Sequence, residues 1–130
     1  LEMPDKMGLL AEVTGALRQE GVSMVSLCAY SMEGKAWFMM ITDDNEKVRA
    51  LAAGNGWTVS EKDVVMAEVK DQAGAAAEVA DKLKAAGINL CYLYGTTCSC
   101  SGGTCHPDCT SRLVICSEGK ADDILAALDA

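Results

Sequence analysis

The sequence contains little of what several large classes of protein require. Among its 130 residues are only two prolines and one phenylalanine, and no apolar run approaches the roughly 20 residues of a membrane-spanning helix. Its 11 basic residues are outnumbered by 19 acidic ones, so a net charge of −8 opposes binding to nucleic-acid phosphates or to an anionic membrane surface. A hydrophobic content of 50% excludes a disordered chain. We therefore expect a globular protein whose partners are neither nucleic acids nor membranes.

Patterns that support catalysis are also missing. The chain has no glycine-rich phosphate-binding loop and no pair of carboxylates in a cleft-like context. Its single histidine, His106, directly follows Cys105, and adjacent side chains point apart, whereas a nucleophile and its base must meet in space. The first residues do not form the charged and then apolar segment of a secretory leader. These observations predict a cytoplasmic protein without enzymatic activity.

The feature that organises the sequence is an internal repeat. Residues 5–27 align without gaps on residues 71–93, and eight of these 23 positions are identical. We therefore interpret the chain as two copies of one structural unit, residues 1–63 and 64–130. The identical pairs are Asp5/Asp71, Gly8/Gly74, Ala11/Ala77, Glu12/Glu78, Val13/Val79, Leu17/Leu83, Gly21/Gly87 and Leu27/Leu93.

Apolar spacing predicts the same order of elements in both units. It predicts an α+β fold of two ferredoxin-like βαββαβ units, each an antiparallel four-stranded sheet with two helices on one face. The first strand of the first unit and the last strand of the second are expected to be truncated, so those strands would lie outside this sequence or come from another chain. Helices are predicted at 9–20, 45–53, 76–86 and 121–130, and strands at 24–30, 36–42, 57–60, 64–69, 90–94 and 112–116.

Residues 1–13, residues 71–74 and the step from Gly87 to Leu90 resemble the ACT domain, in the tandem arrangement of small proteins with two such domains. ACT domains bind small ligands, commonly amino acids, and regulate metabolic enzymes or transcription. The family usually carries proline before the glycine of the turn, where this sequence has Met7 and Ala73. The resemblance implies an allosteric module that binds an amino acid or a similar small acid. It also implies a homodimer or a complex with a metabolic enzyme.

The predicted ligand site is the turn between a strand and a helix, at Gly8 and again at Gly74. Glycine lets the backbone approach a ligand closely, and the first N–H groups of a helix attract a carboxylate. We expect the ligand to lie between units, with its carboxylate at one of these turns. The candidate contacts are Asp5, Met7, Gly8, Leu9, Leu10 and Ser23 in the first unit, and Asp71, Ala73, Gly74, Ala75 and Asn89 in the second.

A cysteine-rich insert lengthens the second hairpin, where residues 96–111 replace the short turn at 31–35. Four thiolates, or three thiolates with the imidazole of His106, would suit a tetrahedral zinc ion. The spacing is not that of the usual paired zinc knuckles, so an iron–sulfur cluster, redox-active thiols and an inert loop remain alternatives. In this topology the insert should overhang the Gly74 turn. The candidate metal ligands are Cys98, Cys100, Cys105 and Cys109.

The alternatives to an amino-acid-binding module follow from two other features. The insert favours a metal- or redox-sensing interaction module, and the ACT resemblance also fits a structural regulatory subunit similar to the small subunit of acetolactate synthase. Residues 37–41 are apolar on both faces of the predicted strand, which indicates that the outer face packs on another sheet or chain. The three cysteines outside the insert, Cys28, Cys91 and Cys116, are expected to pack as small hydrophobic residues.

Overall fold

A computed structural model describes residues 1–97 and 108–130 of the chain. The residues form two compact units, Leu1–Glu61 and Lys62–Ala130. The first unit contains β1 (Glu2–Pro4), α1 (Leu9–Gln19), β2 (Met24–Met32), β3 (Lys35–Thr42) and α2 (Asn45–Asn55). The second contains β4 (Val65–Lys70), α3 (Ala75–Ala85), β5 (Leu90–Thr96), β6 (Thr110–Ser117) and α4 (Ala121–Asp129).

The first unit is an antiparallel sheet in the order β1-β3-β2, with its helices on one face. Side chains of α1 that recur every four residues, Leu9, Val13 and Leu17, are buried against Ala36 and Phe38 of the central strand. Past α2, Thr58 forms an isolated antiparallel bridge with Glu2. The predicted strand at 57–60 is thus reduced to one bridge outside the named strands.

The second unit repeats this design in the order β4-β6-β5. Val79 and Leu83 of α3 and Ile124 of α4 pack against alternate residues of the central strand, including Ile115. A bulge interrupts β5 between Leu90 and Tyr92, and an equivalent bulge interrupts β2 between Met24 and Ser26. The two sequence repeats therefore carry a bulge at the equivalent position.

The central strand β6 is buried on both faces. Its outward side chains, Val114 and Cys116, are as inaccessible as those that face the helices. Tyr94 and Tyr92 lie opposite them on β5, with stacked rings whose centroids are 6.2 Å apart. Cys116 therefore packs as the sequence predicts, whereas Cys28 is half-buried and Cys91, at the bulge, is exposed.

The structure confirms an α+β fold with antiparallel sheets, and apart from the strand at 57–60 its helices and strands begin and end within about two residues of the predicted limits. The expected four-stranded sheets are not found among the described residues, because each sheet there has three strands. In the first unit a single bridge replaces the fourth strand, and in the second no described residue pairs with the outer side of β4. No helix in the described part of the chain is long and apolar enough to cross a membrane.

Candidate functional site

Both predicted turns place glycine in the left-handed region at the start of a helix. Gly8 precedes α1 with φ 81°, and Gly74 precedes α3 with φ 93°. Neither helix receives a side-chain cap. Because the N-cap residue is glycine in both helices, it has no side chain that could accept from a first-turn amide, and an anionic ligand is one group that can do so instead.

The hairpin of each unit lies beside the turn of that unit. The backbone N–H of Asp5 donates to the carbonyl oxygen of Gly34 at 2.9 Å, and the N–H of Asp71 donates to that of Cys109, also at 2.9 Å. Cys109 is the last cysteine of the cysteine-rich insert. The chain therefore rejoins the sheet at Cys109, beside the turn that ends at Gly74, whereas most of the insert that is predicted to overhang this turn lies outside the described residues.

The two turns differ in the side chains that lie at their surface. In the first unit Met7 is fully exposed and Leu10 is more than half exposed, and the ammonium of Lys6 lies 2.6 Å from a carboxylate oxygen of Glu12. In the second unit the positions of Met7 and Leu10 are alanines, and Gln72 replaces Lys6. Sequence reasoning missed this ion pair, although Glu12 lies in the first turn of α1 and Lys6 lies two residues before its N-cap Gly8.

The side chains of two predicted contacts are directed elsewhere. Leu9 and Ala75 are buried, and the side chain of Leu9 belongs to the core of the first unit. The side chains of these two residues are therefore not available to a ligand at the turns. Their N–H groups already approach the carbonyl oxygens of Lys6 and Gln72, at 3.3 Å in each case.

Ser23 and Asn89 lie at the opposite ends of α1 and α3 from the glycine turns. The intervening helix of 11 residues separates the two positions by about 16 Å. Ser23 is held there by Asp43, whose carboxylate accepts from the Ser23 N–H at 2.9 Å. Within one unit, the structure therefore does not bring Ser23 together with Gly8, or Asn89 together with Gly74.

Most of the predicted metal ligands, Cys98, Cys100, Cys105 and the alternative His106, lie outside the described residues. Cys109, the remaining candidate, is half-buried. Within residues 1–97 and 108–130, no three His, Cys, Asp or Glu side chains gather in a way that could hold a metal ion. The metal site stays a prediction from the sequence.

A feature that the sequence did not reveal is a cleft of about 260 Å³ in the second unit. It lies between the edge strand β4, one face of α3 and the end of α4. We call it the β4 cleft. The residues around it include Ala67, Val69, Gln72, Glu78, Lys82 and Leu128.

Comparisons with known proteins establish the fold. The sequence matches no protein-family model and no curated protein. Its structure is similar to that of a protein from Bacteroides thetaiotaomicron, with a TM-score of 0.80 at 24% identity over 98% of this chain and 82% of that chain. It is also similar to the ligand-free regulatory subunit of aspartate kinase from Thermus thermophilus, with a TM-score of 0.63 at 15% identity over 99% of this chain and 85% of that one.

Both similarities concern the arrangement of helices and strands. At these sequence identities they show a shared fold and do not identify a ligand. The regulatory subunit of aspartate kinase is an ACT-domain protein. Its similarity to this chain therefore supports, at the level of fold, the resemblance to the ACT domain that the sequence suggests.

Proposed function

We propose that the chain is a tandem ACT-like regulatory module that binds an amino acid or a similar small acid at the turns of Gly8 and Gly74. The observation that carries this proposal is the repeated left-handed glycine before a helix without a side-chain cap. A bound carboxylate would accept hydrogen bonds from the first-turn N–H groups and would lie at the positive end of the helix dipole.

The first unit has more side chains beside its turn that could bind an amino acid. The charges of Lys6 and Glu12 are opposite, as are those of a zwitterionic ligand, so the exposed ion pair can exchange partners with the ligand at little cost. Met7 and Leu10 present apolar surface beside it. We therefore assign the tighter site to the turn at Gly8 and the weaker one to the turn at Gly74.

Ser23 and Asn89 cannot contact a ligand at the glycine turn of their own unit, because each lies at the far end of its helix. A serine hydroxyl and an asparagine amide can both donate and accept hydrogen bonds, as an amino acid's charged groups require.

A thermal-shift screen of the twenty amino acids at millimolar concentration tests the proposal. A ligand present at 100 times its Kd stabilises the folded state by about 2.7 kcal/mol, which shifts the midpoint of unfolding measurably. Gly8→Val should abolish the shift, because a β-branched residue resists a φ of 81° and its side chain would occupy the approach to the N–H groups.

Gly8→Asn is the matched control for the backbone conformation. Asparagine tolerates the left-handed region, so this variant should keep the turn while adding a side chain at the same place. A wild-type protein that no amino acid stabilises would contradict the proposal and would favour a structural subunit.

A second function is favoured by the contact between Asp71 and Cys109. Since the insert joins the sheet at that contact, metal binding or thiol oxidation within the insert could alter the Gly74 turn. We propose a metal- or redox-sensing role for the insert on this basis. Elemental analysis of protein purified without air exposure tests it, and a zinc and iron content far below one ion per chain would contradict metal binding.

We also propose that the chain self-associates or joins a metabolic enzyme. Along β2 of the first unit, Val25, Tyr30 and Met32 are about half exposed, and Tyr30 stacks on Trp37 with ring centroids 5.3 Å apart. This apolar surface is suited to burial against another chain. Light scattering at several concentrations tests self-association, and a strict monomer without an enzyme partner would contradict the proposal.

A further inference from the structure

Two cysteines of the second unit lie outside the insert, on the neighbouring strands β5 and β6. The ladder between these strands pairs Leu90 with Ser117 and then Tyr92 with Cys116. Cys91 is therefore the extra residue of the bulge, and it faces the step between Cys116 and Ser117. Opposed residues of an antiparallel pair have Cα atoms about 4.5–5.5 Å apart, and disulfide bonds join Cα atoms about 4.4–6.8 Å apart. The backbone thus places Cys91 and Cys116 within reach of a disulfide bond.

The bulge also determines the face of the sheet on which Cys91 lies. Leu90 packs against the core beneath the helices, whereas Tyr92 lies opposite Cys116 on the outer face. In a regular strand residues 90 and 92 would share a face, so the extra residue shifts the alternation by one. Cys91 is exposed, whereas Leu90 packs against the core. Its thiol therefore lies on the side of Tyr92 and Cys116.

Tyr92 is close to both thiols. Its hydroxyl group forms a hydrogen bond with the Cys116 thiol. Burial raises the pKa of Tyr92, and the hydrogen bond with Cys116 and the charges of Cys116 and Cys91 act in the same direction. Because a charge acts strongly only over a short distance, this shared effect on one hydroxyl group agrees with two thiols on one face of the sheet.

The first unit shows that the fold does not require thiols at these two positions. The bulge of β2 carries Val25, which is half exposed, at the place of Cys91. Ile41 of β3 pairs with the residue after that bulge, and so holds the place of Cys116. Aliphatic side chains thus fill both positions in the first unit, and packing alone does not account for a pair of thiols in the second.

The exposure of the two thiols differs in the way that a disulfide exchange requires. Cys91 is exposed and can meet a small molecule in solution, whereas Cys116 is completely buried and can meet only its neighbours. Cys91 is therefore the thiol that attacks an external disulfide, and Cys116 is the thiol that resolves the mixed disulfide.

We propose that Cys91 and Cys116 form a reversible disulfide bond between β5 and β6, with a small-molecule disulfide as the oxidant. The Cys91 thiolate attacks one sulfur of this oxidant, whose S–S bond breaks and releases one thiol. The Cys116 thiol gives up its proton and attacks the Cys91 sulfur, which expels the second thiol. The protein thus loses two electrons and two protons, and the small disulfide becomes two thiols. The proposal depends neither on amino-acid binding at the glycine turns nor on the insert.

The test uses the reduced full chain, equilibrated without air in buffers of reduced and oxidised glutathione. Remaining thiols are then blocked by alkylation after an acid quench, and linked peptides are identified by mass spectrometry. Chymotrypsin cleaves after Tyr92 and Tyr94, which separates Cys91 from the cysteines of the insert. We expect a peptide that joins Cys91 to Cys116 in the oxidising buffer and disappears when reduced glutathione is in excess.

Two variants test the order of attack. Cys116→Ala removes the resolving thiol, so glutathione bound to Cys91 should increase by about tenfold or more over the wild type. Cys91→Val, which places there the residue type of the first unit, should leave Cys116 reduced because no oxidant reaches it. Cys28→Ser is the matched control, since it removes a half-buried thiol from the first unit and should leave the link between Cys91 and Cys116 unchanged.

Peptide mapping of the wild type does not require any variant to fold. The proposal is overturned if wild-type Cys91 accumulates as a mixed disulfide with glutathione while Cys116 stays reduced. It is also overturned if Cys91 joins a cysteine of the insert instead, or if both thiols stay reduced in the most oxidising buffer. A link that forms only when urea is added would overturn it as well, because the pairing would then not belong to the folded sheet.

Discussion

The ammonium of Lys82 lies 2.7 Å from the carbonyl oxygen of Leu128, so a side chain of α3 holds the last turn of α4. A cation at the carboxyl-terminal end of a helix interacts favourably with its dipole. Lys82→Met should therefore lower the free energy of unfolding by about 0.5 kcal/mol while its apolar stem still covers the helix surface. Urea unfolding measures this loss, and Lys84→Met, which removes a charge from the same part of α3, should have a smaller effect.

Gly95 on β5 leaves no room for a side chain. A Cβ atom there would lie 2.6 Å from Cδ2 of Leu113 and 2.7 Å from the backbone oxygen of Arg112. Because the backbone oxygen cannot move without disturbing the pairing of β5 with β6, Gly95→Ala should destabilise the protein by about 1–3 kcal/mol. The change is measured by urea unfolding.

Gly15 provides the comparison for this substitution. It lies within α1, and a Cβ atom there would meet no other atom within 4 Å. Gly15→Ala should stabilise the protein by about 0.5–1 kcal/mol, because alanine loses less conformational freedom in a helix. Equal effects of the two substitutions would contradict the packing described for β5.

Ile124 is completely buried in the core of the second unit, whereas its neighbour Leu125 is nearly half exposed. Ile124→Ala should lower the free energy of unfolding by about 2–5 kcal/mol, through the lost burial and the cavity that remains. Leu125→Ala should cost about 0.5 kcal/mol or less. Paired urea unfolding curves check the contrast, and similar losses would mean that α4 packs through a different face.

Tyr92 links stability to pH. Burial, and secondarily its hydrogen bond with the Cys116 thiol, raise the pKa of Tyr92 above its ordinary value. The folded state therefore holds this proton more tightly than the unfolded state, and stability should fall as the pH rises above about 10, where an unfolded tyrosine ionises.

Tyr92→Phe should remove this contribution. The measurement is the free energy of unfolding of both proteins between pH 8 and pH 11. We expect the wild type to lose more stability than the variant at the alkaline end, and parallel curves would contradict the assigned role of Tyr92.

The sequence predicted local structure well because short-range patterns determine it. The spacing of Leu9, Val13 and Leu17 predicted the buried face of α1, and Gly21 and Gly87 lie just past helix ends with positive φ, as expected. Because the sequence repeats, the helices and strands predicted for one unit could also be predicted for the other.

Contacts between distant residues could not be predicted in this way. The hydrogen bonds of Lys82 to Leu128 and of Ser23 to Asp43 join residues that are far apart in the sequence. They depend on how the helices and strands pack, which the spacing of apolar residues does not predict. The β4 cleft arises because an edge is left uncovered among the described residues, and a pattern of apolar positions does not indicate whether a neighbour is present.

The complete burial of Cys116 has a practical consequence for labelling experiments. Cys91 lies on the same strand pair but is exposed at the bulge of β5. An alkylating reagent should therefore modify Cys91 directly in the folded protein, whereas Cys116 becomes reactive only when β6 separates from its neighbours. The rate at which Cys116 is alkylated thus measures the opening of the second unit without added denaturant or an introduced probe.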